Sequence, residues 1–267
     1  MSGTQPGDRS GSVKDEAFWR EYLEHPDAFQ RRGRLVFQRI PSNPRCQLCA
    51  SPFGGVGGRL MRLIGKQQSS ASPRMCNACE KVLIEHRGGA EVDGTMLFAD
   101  IRGSTALAEG MRPAEFRALL DRFYAAATEA VFASNGVVDK FVGDELVAVF
   151  PPVMGLDHPK RAVDAALAIL RATGHADPSG PWVPVGAGVN TGRVWFGALG
   201  DEAHVEISVV GDAVNVAARL AGAASHGEVL VTVDTARIAG LDPTLATRQL
   251  DLKGKELATD VVSLRVD

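Results

Sequence analysis

Apolar and polar positions follow strand and helix periods from about residue 92 onward and only weakly before it. "GTMLFADI" is an apolar run closed by Asp100, the pattern of a strand buried on both faces. "PAEFRALLDRFYAAATEAVFASNG" sets Phe116, Leu119, Leu120, Phe123 and Ala127 on one helical face, with Pro113 near its start and Gly136 past its end. Short apolar runs predict strands at 137–142 and 145–150, and an Ala/Leu-rich segment predicts a helix near 159–173. Separate strands are expected at "VPVGAGVNTG", "RVWFGALG" and "HVEISVV". A helix follows at "DAVNVAARLAGAA", then a strand at "GEVLVT" and two strands near the C-terminus. Helices alternate with hairpins, so the expected fold is α+β: a mostly antiparallel sheet with helices on one face.

The first third of the chain has a different texture. Residues 1–14 are polar and Gly/Ser-rich and read as a disordered tail. Residues 15–40 carry Phe18, Tyr22, Leu23, Phe29, Leu35, Val36 and Ile40, which predicts one or two short helices broken near Pro26 and Gly33. Residues 41–88 contain all four cysteines, Cys46 and Cys49 in "CQLC" and Cys76 and Cys79 in "CNAC", with 26 residues between the pairs. The Gly/Ser-rich link between them holds too little apolar surface for a core of its own, so a metal would have to organise it. The chain shows no export signal, and paired C-x-x-C motifs then favour metal over disulfides. Structural Zn²⁺ is the first candidate and an iron–sulfur cluster the second. The second pair runs into "EKVLIEHR", read as a helix, much as a treble-clef zinc finger ends; His86 is read as a helix-surface residue because four thiolates complete a tetrahedral site.

Composition changes this picture little. The 267 residues are 45% hydrophobic and 23% charged with a net charge of −3, and no apolar run reaches the length of a membrane span. A cytosolic protein without a membrane or nucleic-acid partner is the expectation.

Three stretches carry candidate chemistry. In "FADIRGST" a strand ends at Asp100, and Gly103, Ser104 and Thr105 lead into a helix; amides at a helix start suit a phosphate, and a neighbouring carboxylate suits its metal. In "KFVGDELVAVF" Asp144 follows Gly143 at a strand–strand turn, which suits either an ordinary acidic hairpin or a metal carboxylate. Two such aspartates can clamp two Mg²⁺ ions on a triphosphate. In "VVGDAVNVAARL" Asn215 and Arg219 lie four apart on one face of a helix opened by Asp212, where an amide and a guanidinium can reach one ligand.

Together these stretches, with "VNTGRVWFGALG" and "DLKGKE", resemble the class III nucleotidyl cyclases, the family of adenylate and guanylate cyclases, over about residues 92–267. "GDEL" is also similar to the GGDEF loop of diguanylate cyclases, which share a palm-like fold, but the other motifs follow the class III pattern. The resemblance implies a ferredoxin-like, palm-like catalytic domain that turns ATP into 3′,5′-cyclic AMP and pyrophosphate. It makes Asp100 and Asp144, with the Ile101 carbonyl, ligands of two Mg²⁺ or Mn²⁺ ions per site. It makes Lys140 and Ser208 readers of the base, Asn215 the ribose-positioning residue and Arg219 the transition-state arginine. Lys253 falls near the triphosphate, with Lys255 able to share that role. A homodimer with two shared active sites is implied, the metal aspartates of one protomer meeting the base, ribose and arginine groups of the other. Ser208 stands where Asp or Thr is common, which leaves cyclases using GTP or a pyrimidine nucleotide as alternatives. A silent nucleotide-binding module signalling through the cysteine region is the other alternative.

Overall fold

The computed structural model describes residues 9–24, 33–34, 36–40, 42, 44–70, 73–200, 205–252 and 258–266. They fall into two compact units. One contains the chain up to Val92 together with Trp195–Val210; the other contains Asp93–Val194 and the chain from Gly211 onward. The segment 195–210 therefore groups with the N-terminal unit, although it lies within the range expected for the catalytic domain.

The N-terminal unit carries α1 (Arg9–Glu24), α2 (Gly55–Leu63) and α3 (Asn77–Glu85). Helix α1 begins inside the stretch expected as a tail. Its Trp19 and Leu23 are buried, and the Trp19 indole donates to the His86 carbonyl at 2.9 Å. Phe18 stacks on the His86 ring at 3.6 Å, and Trp19 meets Phe196 edge-on at 6.3 Å. Gly197 is required where it stands, because a Cβ there would come within 2.3 Å of the Gly88 carbonyl oxygen.

Strands β1 (Gly88–Ile101) and β4 (Val185–Gly200) are each divided between the two units. The expected pair of strands at 185–200 is one continuous strand; Gly192 sits inside it as a place of close packing, its would-be Cβ 2.9 Å from Ala213, and not as a turn. β5 (Val205–Val210) pairs back on the distal end of β4.

In the larger unit β1 is followed by α4 (Ser104–Gly110), α5 (Pro113–Ala133), β2 (Val137–Val142), β3 (Glu145–Phe150) and α6 (His158–Ala172). After β4 come α7 (Asp212–Ala223), β6 (Val229–Thr232), α8 (Val233–Ile238), β7 (Thr247–Leu250) and β8 (Thr259–Leu264). The sheet order is β2-β3-β1-β4-β6-β8-β7. β1–β3, β2–β3, β6–β8 and β7–β8 are antiparallel, and β4–β6 is parallel.

Strand alternation fixes which face each helix covers. Val229, Val231 and Val262 share a core with Phe123, Ala127 and Val131 of α5 and Ala162, Ala166 and Ile169 of α6. The intervening Leu230 and Val261 point the other way and pack with Val216 and Leu220 of α7. Helices therefore cover both faces of the sheet, which corrects the expectation of a single covered face.

A buried polar chain crosses the first core. Thr95 Oγ1 lies 2.8 Å from both His158 Nδ1 and Thr191 Oγ1. Burial first, and the Arg161 charge second, lower the His158 pKa from 6.5 to about 4. The folded state thus binds the proton less well than the unfolded state. This contribution is complete above about pH 6.5 and is lost as the pH falls toward 4. Between pH 8 and pH 5 it amounts to about 2 kcal/mol. Thermal unfolding at both pH values should show a larger acid loss for the wild type than for His158→Gln; equal losses would remove His158 from this role.

Candidate active site

β1 ends where the β2–β3 hairpin turns, so the two predicted aspartates arrive at the same end of the sheet. Asp100 pairs in register with Glu145, and the Ile101 amide donates to the Asp144 carbonyl at 3.4 Å. Gly143 holds the hairpin turn with φ of 61°, a conformation that penalises any Cβ. The Tyr124 hydroxyl donates to the Gly143 carbonyl, and its ring lies 4.2 Å from that of Phe141. Burial, then Asp144 and Asp121, push the Tyr124 pKa up, so this donor stays protonated.

Negative charge accumulates at the turn. Burial, and then the Asp144 charge, hold the Glu145 carboxyl above its ordinary value, with Arg102 opposing. Arg102 forms an ion pair with Asp100 and also donates to the carbonyls of Gly222 at 3.1 Å and Ala224 at 3.4 Å. It therefore ties the Asp100 end of β1 to the C-terminal end of α7. Gly103 follows in the left-handed region, with φ of 69°, and opens α4 with Ser104 half-buried and Thr105 exposed. Hard carboxylate oxygens crowded at one turn fit Mg²⁺ or Mn²⁺, which would share Asp100 with Arg102.

Asn215 and Arg219 stand together on α7, Asn215 exposed and Arg219 half-buried. The start of this helix is held from the sheet: Asn190 Nδ2 donates to the Ala213 carbonyl at 3.0 Å, and Asn190 Oδ1 accepts from the Thr232 hydroxyl at 2.8 Å. Thr235 Oγ1 lies 2.8 Å from Thr232 Oγ1, to which its hydroxyl donates, and it accepts from the Thr191 amide at 2.7 Å. Gly188 lies under the same helix, where a Cβ would stand 2.3 Å from the Ala221 nitrogen.

Lys140 follows an irregularity in the β2–β3 register, and its Nζ lies 3.3 Å from Asp139 on the same strand, with its side chain 46% exposed. Ser208 is half-buried on β5, opposite Gly197, and belongs to the N-terminal unit. Lys253 and Lys255 lie outside the described residues. The structure thus gathers Asp100, Ile101 and Asp144 at one turn and Asn215 with Arg219 on one helix. Arg102, Tyr124, Glu145 and Asn190 were not singled out from sequence. Arg102, Glu145 and Asn190 lie inside quoted motifs, and Tyr124 lies four residues past Leu120, so periodicity and position could have flagged them.

The four cysteines form a second site. The ligand atoms of Cys46, Cys49, Cys76 and Cys79 all lie within 4.8 Å of one another, and the Cys49 and Cys76 sulfurs are 3.7 Å apart. Four thiolates at about 2.3 Å from one tetrahedral ion would be about 3.8 Å apart, so the group fits a shared metal. The Cys76 amide donates to Cys46 Sγ at 3.3 Å, and Lys66 Nζ lies 3.6 Å from Cys49 Sγ. Hydrogen bonds from Cys46 and Cys76 push the Cys49 thiol down, with Lys66 adding to them. His86 stands outside this group, against Phe18.

Comparison with known proteins bears on the chain from about residue 90 onward, which includes parts of both units. The chain is 29% identical over 186 residues to an adenylate cyclase of Anabaena cylindrica, covering 64% of this chain and 36% of that one. A stretch of 151 residues is 38% identical to an uncharacterised protein of Mycobacterium tuberculosis, 28% of whose length is covered. The chain thus spans about a third of the length of such curated relatives. The crystal structure of the guanylyl cyclase Cya2 matches 66% of this chain and 93% of its own at a TM-score of 0.59 and 26% identity. That of the adenylyl cyclase CyaB from P. aeruginosa matches 67% and 96% at 0.58 and 25%. Residues 90–261 match the profile of the adenylate and guanylate cyclase catalytic domain, and with that match spanning most of the chain, the protein belongs to this family.

Proposed function

We propose that the protein is an adenylate cyclase that acts as a homodimer with shared active sites. The observation that carries the reading is the convergence of Asp100 and Asp144 at one turn, beside an α7 that leaves Asn215 and Arg219 accessible. Asp100, Asp144 and the Ile101 carbonyl would hold the divalent cations. When bound, such ions neutralise phosphoryl charge and lower the pKa of the attacking ribose hydroxyl. Asn215 of the opposite protomer orients the ribose so that O3′ faces the α-phosphorus in line. The O3′–Pα bond forms, the bond from Pα to the oxygen bridging to the β-phosphate breaks, and pyrophosphate leaves with that oxygen. The hydroxyl proton passes to solvent. Arg219 meets the charge on the α-phosphoryl oxygens, and Gly103, Ser104, Thr105 and Lys253 receive the triphosphate.

Choice of base rests on Lys140 and Ser208. A lysine donates only, which suits the acceptor ring nitrogens of adenine better than the N–H groups of guanine. The cysteine group is read as one structural Zn²⁺, because the 3.7 Å sulfur spacing suits ligands of a single ion, whereas a cluster spreads its cysteines over separate irons. Purified protein with Mg²⁺ or Mn²⁺ and each of the four nucleoside triphosphates, its products resolved by mass spectrometry, tests the reading. Cyclic AMP as the main product is expected. No product from any nucleotide would favour a silent module, and cyclic GMP would overturn the base assignment. Lys140→Glu should cut ATP turnover at least about tenfold and shift preference toward GTP, since a donor becomes an acceptor.

A further inference from the structure

Helix α2 is amphipathic in an inverted sense. The residues it turns inward are small or flexible: Gly57, Gly58 and Met61 are buried. A Cβ on Gly58 would lie 2.2 Å from the Phe53 carbonyl oxygen, and one on Gly57 would lie 2.6 Å from Ile40. The helix is therefore seated on the Phe53 backbone at Gly58 and on the side chains of Ile40 and Pro52 at Gly57. Its large apolar side chains face outward: Val56 is 82% exposed, Leu60 51%, Leu63 84% and Ile64, just past its end, 65%. Positions 56, 60, 63 and 64 follow helical spacing and form one contiguous stripe. Beside it stand the exposed Arg59 and Arg62.

The whole-chain net charge hides a local asymmetry in the part of the sequence that contains this helix. Residues 28–79 hold nine of the 29 Lys and Arg residues and none of the 32 Asp and Glu. Four thiolates around a divalent ion offset only part of that charge. An exposed apolar stripe of this kind marks an interaction surface, and the charge around it selects an anionic partner.

We propose that α2 docks the protein onto the surface of an anionic phospholipid bilayer, with Val56, Leu60, Leu63 and Ile64 entering the headgroup–acyl boundary and Arg59 and Arg62 meeting lipid phosphates. Nucleic acid would match the charge but leave the four apolar side chains without a partner. A second copy placed stripe to stripe would bring Arg59 and Arg62 against their own equivalents. A bilayer interface satisfies both components, and basic residues on an amphipathic helix each add to its affinity for anionic lipid. The surface lies in a different part of the chain from the catalytic residues, so the proposal stands apart from the cyclase reading.

The test is flotation of full-length, metal-loaded protein with vesicles of phosphatidylcholine alone and of phosphatidylcholine mixed with phosphatidylglycerol. The wild type should float with the mixed vesicles, lose binding as salt rises, and remain unbound with phosphatidylcholine alone. Leu60→Glu with Leu63→Glu, and separately Arg59→Glu with Arg62→Glu, should each weaken partitioning about tenfold or more. All four positions are exposed, so metal content and circular dichroism should match the wild type. Wild-type protein left unbound by the mixed vesicles, or either double variant floating as well as wild type, would overturn the proposal. So would a salt-sensitive shift with single-stranded or duplex DNA, or a change in sedimentation caused by the leucine variants, in the absence of vesicle binding.

Discussion

Asp144→Asn is expected to reduce cyclase turnover by several kcal/mol of barrier, about 10³-fold or more, while the protein remains folded. The side chain keeps its shape but loses the charge that would hold a cation at the β2–β3 turn. Folding should tolerate the change, because the site already strains to hold its carboxylates: burial and the Asp144 charge together raise the Glu145 pKa. The variant should accordingly lower the Glu145 pKa, and it also gives up the attraction between Asp144 and Arg102. Asp100→Asn should also lose activity, and it breaks the ion pair to Arg102, so its stability should fall further than that of Asp144→Asn. If sites are shared, mixing inactive Asp144→Asn with inactive Arg219→Ala restores one complete site per heterodimer. Turnover near wild type in either aspartate variant would remove the two-metal assignment. Failure of the mixture to recover activity, with subunit exchange confirmed, would remove the shared site.

Stripping the metal from the cysteine group is expected to unfold the N-terminal unit before the rest. Structural zinc contributes apparent folding energy of about 10–16 kcal/mol in small modules, and the link between the two cysteine pairs has few buried apolar residues besides Met61 and Met75. Chelation, or Cys79→Ser, should expose residues 44–85 to protease and change the near-ultraviolet signal of Trp19 and Trp195, which belong to this unit. The strands around Phe123 and Phe150 should keep their hydrogen-exchange protection. The unit also contains Trp195–Val210, so with Ser208 in the base-reading role proposed for it, the loss should raise the KM for nucleotide more than it lowers kcat. Metal analysis of anaerobically purified protein should find one zinc per chain. Iron with sulfide would replace zinc by a cluster, and a protease-resistant protein free of both metals would refute the assignment.

Elements with a clear period were legible in the sequence. Strands at 137–142 and 145–150 and the helix from Pro113 lie where the alternation and the flanking Pro and Gly placed them. The carboxylate turn was legible because both aspartates end short apolar runs. Less legible was anything depending on what lies opposite. "GAGVNTGRVWFGALG" reads as two strands because Gly192 resembles punctuation; only the helix packed above it reveals the glycine as a fit. The second covered face was missed for a similar reason: Leu230 and Val261 lie among valines facing the other way, and an unbroken apolar run does not say that its two faces bury different partners. Arg102 was passed over because its significance lies in carbonyls more than a hundred residues away. The local basic surplus at 28–79 was concealed by averaging charge over the whole chain.

The face of β4 beneath α7 consists of Gly188, Asn190 and Gly192, two positions without side chains flanking one whose amide grips the helix start. The height of α7 above the sheet is consequently a backbone dimension, set by the radius of one helix and the pleat of one strand. Rotamer changes in the core, which can let packed helices drift by fractions of an ångström as a sequence diverges, have no purchase along this line of contact, and act on α7 only where its Val216 and Leu220 pack on Leu230 and Val261. On the β4 side, the positions of Asn215 and Arg219 are thus held by backbone contact and not by side-chain fit. Exchanges of valine for isoleucine or leucine would be felt on the side of α7 that packs on Leu230 and Val261, and not on the side that rests on β4.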